Sequence, residues 1–297
     1  MSKMPNLVEL DLSNNYALGE SGESWSQLTQ MKYLKKLDLA KCLLTGEDVK
    51  HIAMSVPNLE ELNMPENKAI GGSSSRWPHS MQIMKHLKKL DLGRCSLTGE
   101  DVGHITVSVS NMPNLVELDL SRNWSLGGSG ESWSHMTKMK HLKKLNLRSC
   151  SLTGEDVKYI AVSVPNLDEL NLLRNTAIGG STSRWPHSMQ IMKHLKKLDL
   201  SSCSLTGEDV KHIAVSMSKM PNLVELDLSN NYALGESGES WSQLTQMKYL
   251  KKLDLAKCLL TGEDVKHIAM SVPNLEELNM PENKAIGGSS SRWPHSM

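Results

Sequence analysis

Three kinds of residue here could do chemistry, and each recurs at a near-constant spacing. The first is a row of carboxylates: Asp11, Asp38, Asp91, Asp119, Asp199, Asp227 and Asp254, with Asn63, Asn146, Asn171 and Asn279 at the intervening places. Such a row could offer a general acid and a general base. No distinct nucleophile, orienting base or pocket-forming insertion accompanies it, so the chain reads as non-enzymatic. The second is five thiols, Cys42, Cys95, Cys150, Cys203 and Cys258, placed almost evenly along the chain. Every one ends a copy of the same short stretch, and another copy ending in Asn lies between each pair. If the copies are neighbouring strands roughly 4.8 Å apart, successive cysteines are roughly 10 Å apart, too far for a disulfide. Buried, reduced thiols are expected, which suits a reducing compartment. The third is the histidines. His51, His104, His212 and His267 fall on a helical pattern, and none shows Cys/His ligand spacing. No metal or cofactor is expected.

The elements that must position these groups follow from the stretch itself. Leu-x-x-Leu-x-Leu-x-x-(Asn or Cys) begins at Leu7, Leu34, Leu59, Leu87, Leu115, Leu142, Leu167, Leu195, Leu223, Leu250 and Leu275. This period, about 25–28 residues, is that of a leucine-rich repeat solenoid. In each strand the middle leucines point into the stack and the residues between them point out. One coil cannot bury its leucines, but stacked coils form a continuous core. The closing residues alternate along the chain: Asn15, Cys42, Asn67, Cys95, Asn123, Cys150, Asn175, Cys203, Asn231, Cys258 and Asn283. They are expected to form a structural ladder of turns, with Asn satisfying backbone groups and Cys acting as a small buried residue with a weak donor.

Two kinds of coil therefore alternate. After Cys42 comes Thr45-Gly-Glu-Asp48, a capping box with Asp in place of Glu, and then Val49, Ile52, Ala53 and Val56 at helical spacing. The cassette returns at Thr98, Thr153, Thr206 and Thr261. The Asn coils are rich in Gly and Ser on this side, which predicts only short helices. Trp25, Leu28 and Met31, and Trp77, Met81 and Met84, read as core fillers.

The alternation of Leu-x-x-Leu-x-Leu-x-x-Asn-x-x-Leu-Gly with Leu-x-x-Leu-x-Leu-x-x-Cys-x-Leu-Thr resembles the ribonuclease-inhibitor class of leucine-rich repeats, which includes the sensor regions of NOD-like immune receptors. The resemblance covers essentially the whole chain. It implies an α/β horseshoe, with a parallel sheet on the concave face and short helices on the convex face, and protein–protein recognition. The Asn coils depart from the family in carrying Ser and Gly where a better helix is usual. An aromatic-rich ribonuclease-binding surface is not evident, so ribonuclease binding is not carried over.

Composition narrows the partners. The 33 basic and 33 acidic residues cancel, so no global field draws the chain to nucleic acid or to an anionic membrane. No apolar run approaches a bilayer span, and Met1-Ser-Lys-Met-Pro lacks a signal-peptide core, which points to the cytoplasm. The whole of 1–297 is expected to be one solenoid, with a super-period of four coils, about 108 residues. Residues 1–81 and 217–297 are identical, and residues 109–189 match 1–81 at 59 of 81 positions (22 differ). Recent duplication, or deliberate end-to-end joining of gene segments, would leave this pattern, and the second is favoured. Neither end carries a polar cap, so a homo-oligomer through the solenoid ends is the alternative to a separate protein partner.

On the outward face, Glu9, Lys36, Glu61, Lys89, Glu117, Lys144, Glu169, Lys197, Glu225, Lys252 and Glu277 alternate in sign. Paired laterally, they read as framework. The Asp/Asn row is next. Differences between copies gather just beyond it: Asn14 becomes Arg122, Tyr16 becomes Trp124, Ala40 becomes Arg148 and Glu66 becomes Arg174. The candidate partner-binding residues are accordingly Asn14, Tyr16, Lys41, Glu66, Arg94, Arg122, Trp124, Arg148, Arg174 and Tyr232, with the aromatics as hot-spot candidates. The identity of the partner protein is not encoded in these patterns.

Overall fold

A computed structural model describes residues 4–20, 22–72, 79–109, 111–180, 185–235 and 237–287. The chain forms two compact units, Met1–Cys150 and Ser151–Met297. In the first, β1 (Glu9–Asp11), β2 (Lys36–Asp38), β3 (Glu61–Asn63), β4 (Lys89–Asp91), β5 (Glu117–Asp119) and β6 (Lys144–Asn146) pair in chain order. In the second, β7 (Glu169–Asn171), β8 (Lys197–Asp199), β9 (Glu225–Asp227), β10 (Lys252–Asp254) and β11 (Glu277–Asn279) do the same. Every pairing within each unit is parallel and in register, for example Glu9 with Lys36 and Lys252 with Glu277. Each strand is very short because a turn follows at once. The central leucines of the inner strands, such as Leu62, Leu118 and Leu226, are buried, as are the next ones along, Leu39, Leu120 and Leu228.

The Cys coils carry α-helices: α1 (Gly46–Ser55), α2 (Gly99–Val109), α3 (Gly154–Ser163), α5 (Gly207–Met217) and α6 (Gly262–Ser271). Thr45 caps α1, its hydroxyl accepting the Asp48 N–H while the Asp48 carboxylate accepts the Thr45 N–H. The same reciprocal box opens α3, α5 and α6. Val49, Ile52, Ala53 and Val56 are all buried, so the helical spacing marks the inward face.

The Asn coils hold 3₁₀ turns over Gly22–Gln30, His79–Ile83, Gly130–Lys138 and Gly238–Gln246, and the short α4 (Trp185–Met189). Gly and Ser propagate an α-helix poorly, and the tighter 3₁₀ ladder takes its place. Trp25, Leu28, Met31, Met81 and Met84 are buried, and so are Trp133, Trp185 and Trp241. Trp77 lies outside the described residues. In the first unit α1 packs between Gly22–Gln30 and His79–Ile83. In the second, α6 packs on Gly238–Gln246.

Candidate interaction surface

The outward face of the strands is organised in rows. In the outermost framework row Lys36 Nζ lies 3.0 Å from Glu9 and 3.9 Å from Glu61, and Lys89 lies 3.5 Å from Glu117. In the second unit Lys197 pairs with Glu225 at 3.0 Å and Lys252 with Glu277 at 3.2 Å. These pairs are exposed, and each contributes little. Their alternation forbids neighbouring like charges.

The Asp/Asn row has a structural task that residue types alone leave open. In most of the row the side-chain oxygen accepts the backbone N–H two residues on: Asp38 from Ala40 (2.9 Å), Asp91 from Gly93 (2.8 Å), Asp119 from Ser121 (2.8 Å) and Asp227 from Ser229 (2.8 Å); Asn63 and Asn279 cannot, because Pro65 and Pro281 have no N–H to give. Asn146 and Asn171 make the same bond, to Arg148 and Leu173. These are Asx turns, which either Asp or Asn can form. The cost of using Asp is visible at Asp91, where burial above all, with Asp119, Asp38 and Glu117 adding charge, pushes the carboxyl up to about 6. Asp227 is raised as well, again chiefly by burial.

The Asx turn delivers the chain into the left-handed region one residue later. Asn14, Lys41, Glu66, Arg94 and Arg122 in the first unit have φ between 55° and 63°, and Arg174, Asn230 and Lys257 in the second do the same. The backbone is held there by neighbouring coils. Asn14 N–H donates to Ala40 O, Glu66 to Gly93 O, Arg94 to Ser121 O and Arg122 to Arg148 O, all at 2.7–2.8 Å. Five of the candidate residues in the first unit, and Arg174 in the second, thus stand on a constrained left-handed backbone that residue types did not announce, since the usual glycine is missing. Arg148 stands one place earlier, on the residue that donates to Asn146. Tyr16, Trp124 and Tyr232 stand two places later at the rim, each nearly 60% exposed. Within this row Lys41 lies 3.9 Å from Glu66, Arg94 lies 3.1 Å from Glu66 and Lys257 lies 3.2 Å from Glu282. Leu43 and Leu259 were not among the candidates. They are half exposed and also left-handed, one coil on from Tyr16 and Tyr232 respectively.

Below the rows run the turns. Asn123 is fully buried. Its Oδ1 accepts Cys95 N–H (2.8 Å) and Leu97 N–H (3.0 Å), while its Nδ2 donates to Leu92 O (3.0 Å) and Leu120 O (2.8 Å). Asn67, Asn231 and Asn283 repeat all four bonds. Asn175 accepts Leu152 N–H and donates to Leu172 O, and Asn15 donates to Leu12 O. Each cysteine instead donates its thiol to a carbonyl of the coil before: Cys42 to Leu12, Cys95 to Met64, Cys150 to Leu120, Cys203 to Leu172 and Cys258 to Leu228, at 3.1–3.3 Å. Burial pushes the Cys95, Cys150, Cys203 and Cys258 thiols up to about 12, so they stay protonated. All five are free. Among the described residues no group of three or more His, Cys, Asp and Glu side chains is placed to hold a metal ion, and no helix is long and apolar enough to cross a membrane.

The family model described as Leucine Rich repeat matches residues 84–103, 111–130, 138–161 and 192–214, each match spanning a strand or its flanking turn and helix. The chain has a leucine-rich repeat fold. Its repeats are of the ribonuclease-inhibitor-like kind. The leucine-rich repeat chain is 29% identical over 305 residues to a ribonuclease inhibitor of Sus scrofa, covering 95% of this chain and 66% of that protein. It is 26% identical over 242 residues to an NLR family CARD domain-containing protein 4 of Bos taurus (80% and 23%). It is 26% identical over 265 residues to a NACHT, LRR and PYD domains-containing protein 5 of Mus musculus (84% and 22%). The chain thus spans about two thirds of the first relative and under a quarter of the others. Among solved structures, the leucine-rich repeat-containing protein LegL7 of Legionella pneumophila matches with a TM-score of 0.56 at 17% identity, covering 93% of this chain and 91% of that one. TLR13, in its complex with ssRNA13, matches with a TM-score of 0.62 at 21% identity (95% and 45%). At these identities the likeness is one of fold. Leucine-rich repeat proteins generally bind other proteins.

Proposed function

We propose that this leucine-rich repeat chain is a non-enzymatic scaffold that takes a protein partner on the strand-bearing face and its rim. The observation carrying this reading is the division of labour among the rows. The Glu/Lys and Asp/Asn rows are occupied with framework bonds. The residues beyond them are exposed, differ between copies and stand on a backbone too constrained to adapt. Rigid Tyr, Trp and Arg side chains on such a backbone lose little entropy on binding. Five protonated thiols suit residence in a reducing cytosol.

The test is site-specific photo-crosslinking in mammalian cell lysate, the relatives above being mammalian. A benzoyl-phenylalanine at position 16 or 122 should form discrete adducts with protein. One at Lys50 or Lys158, on the outer faces of α1 and α3, should not. Adducts confined to the helix positions, or absent from all four, would overturn the reading.

A further inference from the structure

The strand-side rims are not equivalent. Around β1 and β2 the variable residues are Asn14, Tyr16, Ala40 and Lys41, and around β9 and β10 they are Asn230, Tyr232, Ala256 and Lys257. Around β5 and β6 the same places hold Arg122, Trp124, Arg148 and Ser149. Positive charge in the first two rims is engaged: Lys41 faces Glu66 at 3.9 Å and Lys257 faces Glu282 at 3.2 Å. Arg94, beside β4, is held by Glu66 at 3.1 Å. Arg122 and Arg148 have no ion pair among the described residues; Arg148 Nε, like Arg94 Nε, is buried without a hydrogen-bond acceptor, so the missing ion pair is what sets this rim apart. The two arginines sit on adjacent coils, because Arg122 N–H donates directly to Arg148 O at 2.7 Å. Trp124, 58% exposed, stands two residues past Arg122.

We infer that this rim is a receptor for an acidic segment of the partner protein, whose carboxylates pair with Arg122 and Arg148 while a neighbouring apolar side chain lies against the Trp124 indole. The inference rests on the protein-binding reading above and names its ligand chemistry. A guanidinium presents a planar fork of donors that matches a carboxylate. Indole offers a large, rigid apolar face. The charged groups behind the rim set how deep the segment goes. Asp119 accepts Ser121 N–H at 2.8 Å and Asn146 Nδ2 at 2.6 Å, and Glu117 lies 3.5 Å from Lys89. A carboxylate entering the Asp row would meet Asp119 and Asp91, so the acidic segment stays on the outer two rows. The same acidic row disfavours a nucleic acid, whose phosphates repeat every few ångströms and need a continuous basic track.

The substitutions that test this come from the other rims: Arg122→Asn with Arg148→Ala, and separately Trp124→Tyr. Each places a residue already tolerated at the equivalent site, and circular dichroism verifies the fold. Fluorescence anisotropy of the full chain is measured with three labelled probes: a twelve-residue peptide of Glu and Leu with one Trp, the same peptide with Lys for Glu, and a twelve-nucleotide single-stranded DNA. The Glu peptide should bind at least tenfold tighter than the other two. It should lose at least tenfold in the double arginine variant and a few-fold in Trp124→Tyr, and should weaken as salt rises. Equal binding of the Lys peptide, tighter binding of the DNA, or a double variant that binds the Glu peptide unchanged would each overturn the acidic receptor. Crosslinks at position 16 that persist in the double variant would leave the protein-binding reading standing while removing this site.

Discussion

The Asn coil and the Cys coil solve the same stacking problem from opposite sides. On the turn side, Asn123 reaches back to Cys95, Leu97 and Leu92 and ties a Cys coil to the Asn coil after it with three bonds, while a fourth closes its own turn at Leu120 O. At the reverse junction the turn's side-chain bond is a thiol bond, such as Cys150 to Leu120, beside a backbone bond such as Gly127 N–H to Cys150 O. The helix side makes up the difference. Asp48, buried at the start of α1, uses one oxygen for Thr45 and the other to accept the Trp25 indole N–H of the preceding Asn coil at 2.8 Å. Trp241 donates likewise to Asp264 at 3.1 Å, and Gly72 and Gly180 offer backbone N–H groups to Asp101 and Asp209. Junctions are therefore stapled alternately, by Asn at the turn and by Asp at the helix start. A regular stack does not need identical joints, only joints that are complementary in sequence.

That contrast can be broken experimentally. The largest effect is expected from Asn123→Ala, which strands two buried N–H groups and two carbonyls: a loss of about 3–5 kcal/mol in chemical denaturation. Cys150→Ala, at the equivalent turn, should cost about 1 kcal/mol, since one weak donor and little volume are lost. Equal losses would mean that the turns do not divide the task as described. Next comes Asp48→Ala, which removes a cap and the indole's acceptor together, for about 2–3 kcal/mol. A loss well under about 1 kcal/mol would leave the helix-side staple without force.

The Asp row gives a subtler test. The Asp91 carboxyl titrates at about 6 in the fold against about 3.9 unfolded. Below the unfolded value the acid is protonated in both states and costs nothing. As pH rises through 4 to 6 the unfolded chain releases its proton first, so stability falls and the penalty is complete above about 6. Asp91→Asn keeps the Asx turn and should stabilise the protein by about 1–2 kcal/mol at pH 7.5 and by almost nothing at pH 4. A gain of the same size at both pH values would exclude ionisation as its cause. The smallest effect is at Leu43, a half-exposed leucine at φ 55° where other Cys coils have Ser96, Ser151 and Ser204. Leu43→Asn should add about 0.5 kcal/mol by easing the left-handed backbone; a loss would show that the leucine side chain packs productively.

Much of this was legible in the chain. The leucine period placed all eleven strands, because so short a strand leaves no freedom of register. The Thr45–Asp48 spacing announced a capping box, since both partners lie within one turn. What local patterns could not carry was any bond whose partner lies a coil away. Trp25 and Asp48 stand on successive coils, far apart in the chain, and the indole read simply as a core filler. The 3₁₀ turns were visible only as an excess of Gly and Ser. The left-handed row was hidden because Arg, Lys and Glu occupy it, held by the next coil's carbonyl and, where no Pro intervenes, by the Asx turn before. The exposed aromatics and the free Arg122–Arg148 pair lie among the residues that differ between copies, where the face was expected to vary. Their partner-binding role still rests on the experiments above.

The alternating staples also govern how such a chain can lengthen or recombine. A crossover between copies displaced by an even number of coils, such as the four- and eight-coil offsets seen here, rejoins an Asn turn to a Cys turn and leaves every joint complementary. A crossover displaced by a single coil sets two like turns side by side: either an Asn facing backbone already satisfied, or a thiol where four bonds are needed. Growth by pairs is then the only silent path, and the gene can gain or lose length only in steps of two coils.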